Sequence, residues 1–119
     1  MVLKKIVIKR PWGYFEEFCE NVKCSVKLHH INAGQEFSLQ KHQKREEFWR
    51  IISGKGQVTL GTKVHNFSKG KEFFIKKDTL HKLKAKSNTL MMEICFGYFD
   101  ENDEVRIKDK YGRKSPEKK

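Results

Sequence analysis

The sequence predicts an all-β fold, with many short strands closed into a sandwich or barrel. Three observations predict it. The rhythm of the chain is two rather than 3.6: from His81 the sequence runs His-Lys-Leu-Lys-Ala-Lys, which puts His81, Leu83 and Ala85 on one face and the lysines on the other. Turn signals recur at Asn32-Ala33-Gly34, Ser53-Gly54, Lys69-Gly70 and Asp78, a spacing that cuts the chain into short strands. Finally, apolar residues make up 37% of the 119 and charged residues 34%, which suits a small β-domain with a wet outer face.

The strands follow in order. Short strands are expected at 3–8, 14–18, 23–31, 36–42, 72–76 and 89–97. Residues 47–52 alternate less cleanly, with Glu47, Trp49 and Ile51 sharing a face. Residues 57–60 and 63–67 read as a hairpin joined at Gly61-Thr62. The segment 100–110 (DENDEVRIKDK) is expected to form one short turn or helix, and 114–119 a polar tail behind a single domain at 1–113. A chain of this length buries a real core without disulfide staples. Its three cysteines, Cys19, Cys24 and Cys95, are odd in number, and four residues separate the first two, so they read as reduced core thiols in a cytoplasmic protein. No stretch approaches the roughly 20 apolar residues of a membrane span, and the apolar run within MVLKKIVIKR is too short for a signal peptide.

The formal net charge of +11 raises nucleic acid as a partner. The lysines, however, are scattered in twos and threes and form no stripe. The expectation is no specific nucleic-acid partner: DNA should bind weakly, without sequence preference, and release at modest salt. Attraction of a small anionic substrate fits the same charge.

The chemistry concentrates in residues 34–54, GQEFSLQKHQKREEFWRIISG. Gln40 and His42 lie two apart, so on a strand they share a face. A tight turn through 43–46 would bring Glu47 back on the adjacent strand of a hairpin. His81 arrives on a different strand. Two imidazoles, a carboxylate and an amide oxygen form a donor set for one divalent metal ion with coordination sites left open. The imidazoles favour Mn, Co, Ni or Zn over Ca, and the oxygen donors keep the site from being zinc-exclusive. Taken singly, each residue has a plainer reading: a hydrogen-bonded histidine, a surface carboxylate, an uninformative glutamine.

The spacing sets these residues apart. Gly34, Gln40, His42, Glu47 and Gly54 fall position by position on the first motif of the cupin superfamily, a jelly-roll barrel or double-stranded β-helix. Gly70 and His81 fit the second motif, while Lys76 and Asp78 stand where Pro and Gly are usual, a departure that affects a turn. More closely, the chain resembles the C-terminal cupin of type II mannose-6-phosphate isomerases, the part that follows the guanylyltransferase domain in the bifunctional enzymes. Arg10-Pro11-Trp12-Gly13-Tyr14, Ser38-Leu39-Gln40-Lys41-His42 with Arg45, Glu47 and Trp49, Glu93, and Val105-Arg106 with Tyr111-Gly112-Arg113 carry the resemblance over residues 9–113. Gln43 and Lys44 stand where that family often has further histidines.

The resemblance implies a metal-dependent interconversion of mannose 6-phosphate and fructose 6-phosphate through a cis-enediolate. No nucleotidyltransferase domain lies within these residues, so no sugar-nucleotide synthesis is carried over. Glu93 becomes the candidate proton-transfer base, Arg113 and Arg45 candidates for the phosphate or for electrostatic help, and Lys27 a further substrate contact. Trp12 and Trp49 read as core or rim packing, and His29, His30 and His65 as structural or exposed. Two rivals stand beside this reading: a non-catalytic cupin that binds a sugar or sugar phosphate, and a cupin with other metal chemistry, such as an iron oxygenase. The expected assembly is a homodimer, built on sheet edges or on an exchanged N-terminal strand at 3–8.

Overall fold

The computed structural model describes residues 5–97 and 104–113. Among these residues eleven strands follow one another in chain order. They are β1 (Ile6–Arg10), β2 (Gly13–Glu17), β3 (Cys24–Ile31), β4 (Leu39–His42), β5 (Arg45–Ser53), β6 (Gly56–Leu60), β7 (Lys63–Phe67), β8 (Glu72–Ile75), β9 (His81–Ala85), β10 (Thr89–Gly97) and β11 (Glu104–Lys108). No helix occurs among the described residues. The short turn or helix expected within 100–110 is therefore corrected over 104–108: these residues pair antiparallel with β4. The Glu-Val-Arg-Ile-Lys alternation is a period-two pattern, and a neighbouring strand edge was available to satisfy its backbone. The tail expected at 114–119 lies outside the described residues.

Two sheets form the barrel. One has four strands in the order β3-β10-β5-β8, the other five in the order β11-β4-β9-β6-β7. Inward residues of both make one core, including Trp49, Ile51, Val58, Ile75, Leu83 and Met91. The hairpin at Gly61-Thr62 forms as expected, with Gly61 at φ +61°. Asp78 also lies at positive φ, 60°. A short acidic side chain tolerates that conformation better than most, so the turn survives without the usual glycine. The backbone N–H of Asp78 donates to the His42 carbonyl at 2.8 Å, tying the turn to β4.

Close backbone approach shows at Gly56. A Cβ there would meet the Lys84 carbonyl oxygen at 2.1 Å and the Phe67 ring at 2.7 Å. Gly56→Ala is expected to destabilise the protein by about 1–3 kcal/mol, read as a lower denaturant midpoint.

Among the described residues, no strand pairing joins the β1–β2 hairpin to either barrel sheet. It is held by a polar cluster: Lys5 Nζ lies 3.0 Å from Glu16, and Arg50 Nη1 lies 2.8 Å from Glu72 and 2.9 Å from Glu16. Phe18 beyond it packs on Phe48 on the outer face of the four-stranded sheet. Residues 6–8 thus pair with 15–17 of their own chain. Trp12 was expected to pack in the core or at a rim; it is instead 72% exposed and stacks on Phe15. Ile6, Val7 and Tyr14 are exposed beside it. This apolar hairpin and the edge of β3, which among the described residues pairs only with β10, are the surfaces on which a homodimer is proposed. Light scattering at micromolar concentration should give twice the 14.1 kDa chain mass, and a monomer alone would count against the dimer.

Of the three cysteines only Cys95 is a core thiol. Cys19 is half-buried and Cys24 exposed, because Cys24 begins the outward-facing row of β3.

Candidate functional site

The strands bring His42, Glu47 and His81 together, but not as the sequence implied. β4 and β5 are not a hairpin. The chain crosses at residues 43–44 from the five-stranded sheet to the four-stranded one. His42 and His81 come from neighbouring strands of one sheet, and Glu47 reaches them from the other. Closing the barrel is what makes their side chains meet.

All three are buried. His42 Nε2 lies 3.0 Å and His81 Nε2 3.7 Å from Glu47 Oε2. Donors about 2.0–2.2 Å from one cation stand at separations of this order, and the three donor atoms all lie within 4.8 Å of one another. At His81 and Glu47 the supporting contacts leave the right lone pairs available. Nδ1 of His81 donates to the Thr79 carbonyl at 2.8 Å, so Nε2 faces the cluster unprotonated. The indole N–H of Trp49 donates to Glu47 Oε1 at 3.0 Å, leaving Oε2 for the cluster. Both His81 Nε2 and Glu47 Oε2 are buried without a hydrogen bond, the pattern of donors that suit a cation.

The protonation states agree. Burial pushes the His81 imidazolium down, favouring the neutral ligand form. Burial opposes ionisation of Glu47, but the Glu93 carboxyl, His42 and His81 beside it outweigh this and hold Glu47 well below the usual carboxylate range. Gln40 stands directly across from His81 in the β4–β9 register, and its Oε1 accepts from Ser38 Oγ at 3.1 Å. The donor set therefore fits one divalent cation held by His42, Glu47 and His81, with Gln40 at its side.

A cleft of about 200 Å³ opens beside this cluster. The sequence candidates Lys27, Gln40, Arg45, Glu93 and Arg113 all line it. Arg45 is turned inward: its Nη2 donates to His42 Nε2 at 3.0 Å, and its Nε lies 3.5 Å from Glu47 Oε2. Arg113 is clamped at the rim by Asp109, whose carboxylate accepts from the Arg113 backbone N–H, Nε and Nη2 at 2.7–3.2 Å. Those hydrogen bonds hold the Asp109 carboxyl below its ordinary value.

Glu93 sits on β10 beside Glu47. Burial raises its carboxyl first, and the adjacent Glu47 raises it further, against a smaller opposing pull from His29. Two carboxyls are thus driven apart, one toward the ligand form and one toward proton exchange. Glu93 Oε2 lies 3.3 Å from His29 Nε2 and accepts from the Cys95 thiol at 3.4 Å. Burial first, then Glu93 and Glu47, push that thiol up, so it remains a neutral donor.

His29, expected to be structural or exposed, is in the cleft, and Phe37, Ser38 and Arg106 line it too. The available signal was alternation: His29 and Lys27 share the inward face of β3. His30 is exposed, and His65 is half-buried against Phe73. Trp49 is core, as expected.

Known proteins place this geometry in context. The chain is 35% identical over 109 residues to a mannose-1-phosphate guanylyltransferase of Klebsiella pneumoniae, and 33% identical to xanthan biosynthesis protein XanB of Xanthomonas campestris pv. campestris (strain B100). Each match covers 89% of this chain but 23% of the relative, so the chain spans about a quarter of the length of these curated relatives. Among solved structures, a cupin protein of Bacteroides fragilis superimposes with a TM-score of 0.58 at 25% identity, over 62% of this chain and 65% of that one. A Klebsiella pneumoniae protein with a double-stranded β-helix domain superimposes at 0.60 and 20% identity, over 66% and 71%, which speaks for the fold alone. The family described as "Mannose-6-phosphate isomerase C-terminal" matches residues 2–109. The chain is a cupin and belongs to that family.

Proposed function

We propose that this chain is a metal-dependent isomerase that interconverts mannose 6-phosphate and fructose 6-phosphate. The observation that carries the reading is the Glu47–Glu93 pair: two buried carboxyls in contact, one on the His42–His81 cluster and the other lining a cleft rich in cations.

A divalent cation held by Gln40, His42, Glu47 and His81 would supply positive charge beside the sugar oxygens at C1 and C2. Trp49 fixes one oxygen of Glu47, so the other points into the cluster. Glu93 takes the proton from C2 and returns it to C1 for the ketose while the hydroxyl proton passes from O2 to O1, and the reverse for the aldose. His29 and Cys95 keep its carboxylate aimed into the cleft. The cations at the rim hold the phosphate and so set the carbon chain in register with Glu93.

An assay coupled to fructose 6-phosphate formation tests the reading. Chelator should abolish turnover, and Mn, Co, Ni or Zn should restore it. A folded, metal-loaded chain that turns over no hexose 6-phosphate would overturn the isomerase and leave a sugar-phosphate-binding cupin.

A further inference from the structure

Cys19 and Cys24 flank the turn through which the β1–β2 hairpin joins the barrel. Six residues, Phe18 through Lys23, connect β2 to β3 without entering a strand. Among the described residues no strand pairing ties the hairpin to either sheet. Side chains attach it instead: the ion pairs of Lys5, Glu16, Arg50 and Glu72, and Phe18 on Phe48. Neither thiol belongs to the metal cluster or lines the cleft.

Both thiols stand on one face of one sheet. Cys24 lies directly opposite Phe96 in the β3–β10 register, and residues paired in this way share a face. Cys19 packs against the cluster of Phe48, Ile94 and Phe96 on that outer face. Between them Asn21 turns the chain at φ +54°, a left-handed conformation that asparagine tolerates. The thiols are close enough to act on each other: burial first, then the neighbouring Cys24, push the Cys19 thiol up. Their access differs, since Cys24 is exposed and Cys19 half-buried. Thiol reactivity follows thiolate character and access, which makes Cys24 the attacking sulfur and Cys19 the resolving one. Cys95 is buried and donates to Glu93, so it stands apart from this pair.

We infer that Cys19 and Cys24 form a reversible dithiol–disulfide site, oxidised by a small-molecule disulfide, that pins the β1–β2 hairpin to β3. The Cys24 thiolate attacks one sulfur of the small disulfide. That S–S bond breaks, one thiol leaves, and a mixed disulfide remains on Cys24. Cys19 then gives its proton to water and attacks the Cys24 sulfur, closing the Cys19–Cys24 bond and releasing the second thiol. The two cysteines are oxidised, and the small disulfide is reduced to two thiols. Fully extended, the chain from Cys19 to Cys24 reaches roughly 17 Å. Bridged, their Cα atoms are held within about 7 Å. The bond therefore removes the slack through which the hairpin could leave its own barrel. The competing explanation is that Cys24 is a solvent-facing thiol that takes one adduct and goes no further.

Glutathione disulfide added to the folded full chain is the probe, with intact mass and peptide mapping as readouts. The wild type should lose two hydrogens, carry no adduct, yield a peptide linked through Cys19 and Cys24, and return to the dithiol with dithiothreitol. Cys19→Ser should instead retain one glutathione on Cys24. Cys24→Ser should take up glutathione far more slowly, and Cys95→Ser should bridge as the wild type does. Backbone hydrogen exchange in β1 and β2 should be about tenfold slower in the bridged protein than in the reduced one. A wild type that keeps glutathione on Cys24, links two chains through it, or does not react overturns the site. A Cys19–Cys24 bridge that leaves exchange in β1 and β2 unchanged overturns the pinning.

Discussion

Glu47→Ala should lose both the metal and all measurable turnover. Its carboxylate lies between two buried imidazoles and is the one anionic member of the ligand cluster. The side chain also neutralises buried Arg45 and accepts the Trp49 indole proton. Removing one partner from a buried charged set costs about 3–5 kcal/mol, because the remaining charge is left without compensation. Two readouts separate this from simple unfolding. Elemental analysis of the wild type should give about one Mn, Co, Ni or Zn per chain. A metal at 100 times its dissociation constant should stabilise the wild type by about 2.7 kcal/mol, a rise in melting temperature of roughly 10 °C for a domain of this size. Glu47→Ala should show neither. Glu47→Gln keeps the shape and is expected to fold, yet bind metal far more weakly. His81→Ala should also be inactive, since it removes the imidazole whose Nε2 the Thr79 carbonyl aims at the cluster. Stoichiometric metal in Glu47→Ala would show that the ligand set is wrong.

Glu93→Gln should behave differently: metal retained, turnover lost. Glu93 contacts the ligand Glu47 but is not needed in the donor set of His42, Glu47 and His81. An amide occupies the same volume and still accepts from Cys95, so the fold should tolerate it. Loss of a positioned acid–base group costs about 10²–10⁴-fold in rate. The loss should fall on kcat and kcat/KM alike, because the proton is in transit only in the transition state. Arg113→Ala should instead raise KM more than it lowers kcat, because phosphate is held equally in ground and transition states. Cys95→Ser should retain most of the activity, since a hydroxyl donates to the same carboxylate. Full activity in Glu93→Gln would remove Glu93 from the proton path.

Much of this was legible in order along the chain. The period-two alternation around His81 and the recurring turns at Gly34, Gly54 and Gly70 determined an all-β barrel, because side chains two apart on a strand must share a face. The same rule put Gln40 and His42 on one face, and the motif spacing added Glu47 and His81. What alternation does not carry is which strand lies beside which. Turn residues 43–44 look like a hairpin from the sequence, yet they carry the chain between sheets, because closing the barrel requires a strand to leave its neighbour. Residues 104–108 depart from the expected turn or helix for a related reason: alternation over so short a polar strand is weak, and the edge of β4 that pairs with β11 decides it.

The chemical identity of the proposed ligands was therefore written in the sequence, but their surroundings were not. His29 had no motif to distinguish it from His30, and only pairing of β3 with β10 sets one against Glu93 and the other toward solvent. Arg45 and Arg113 look equivalent as phosphate ligands until the fold turns one inward onto Glu47 and clamps the other at the rim with Asp109. Arg106 and Lys27 lie 79 positions apart (106 − 27) and share a cleft only because the edges of two sheets face each other. Spacing along a strand specifies direction at short range. Distance between strands is settled by nonlocal hydrogen bonding and by burial of the common core, and that is the part only the tertiary structure decided.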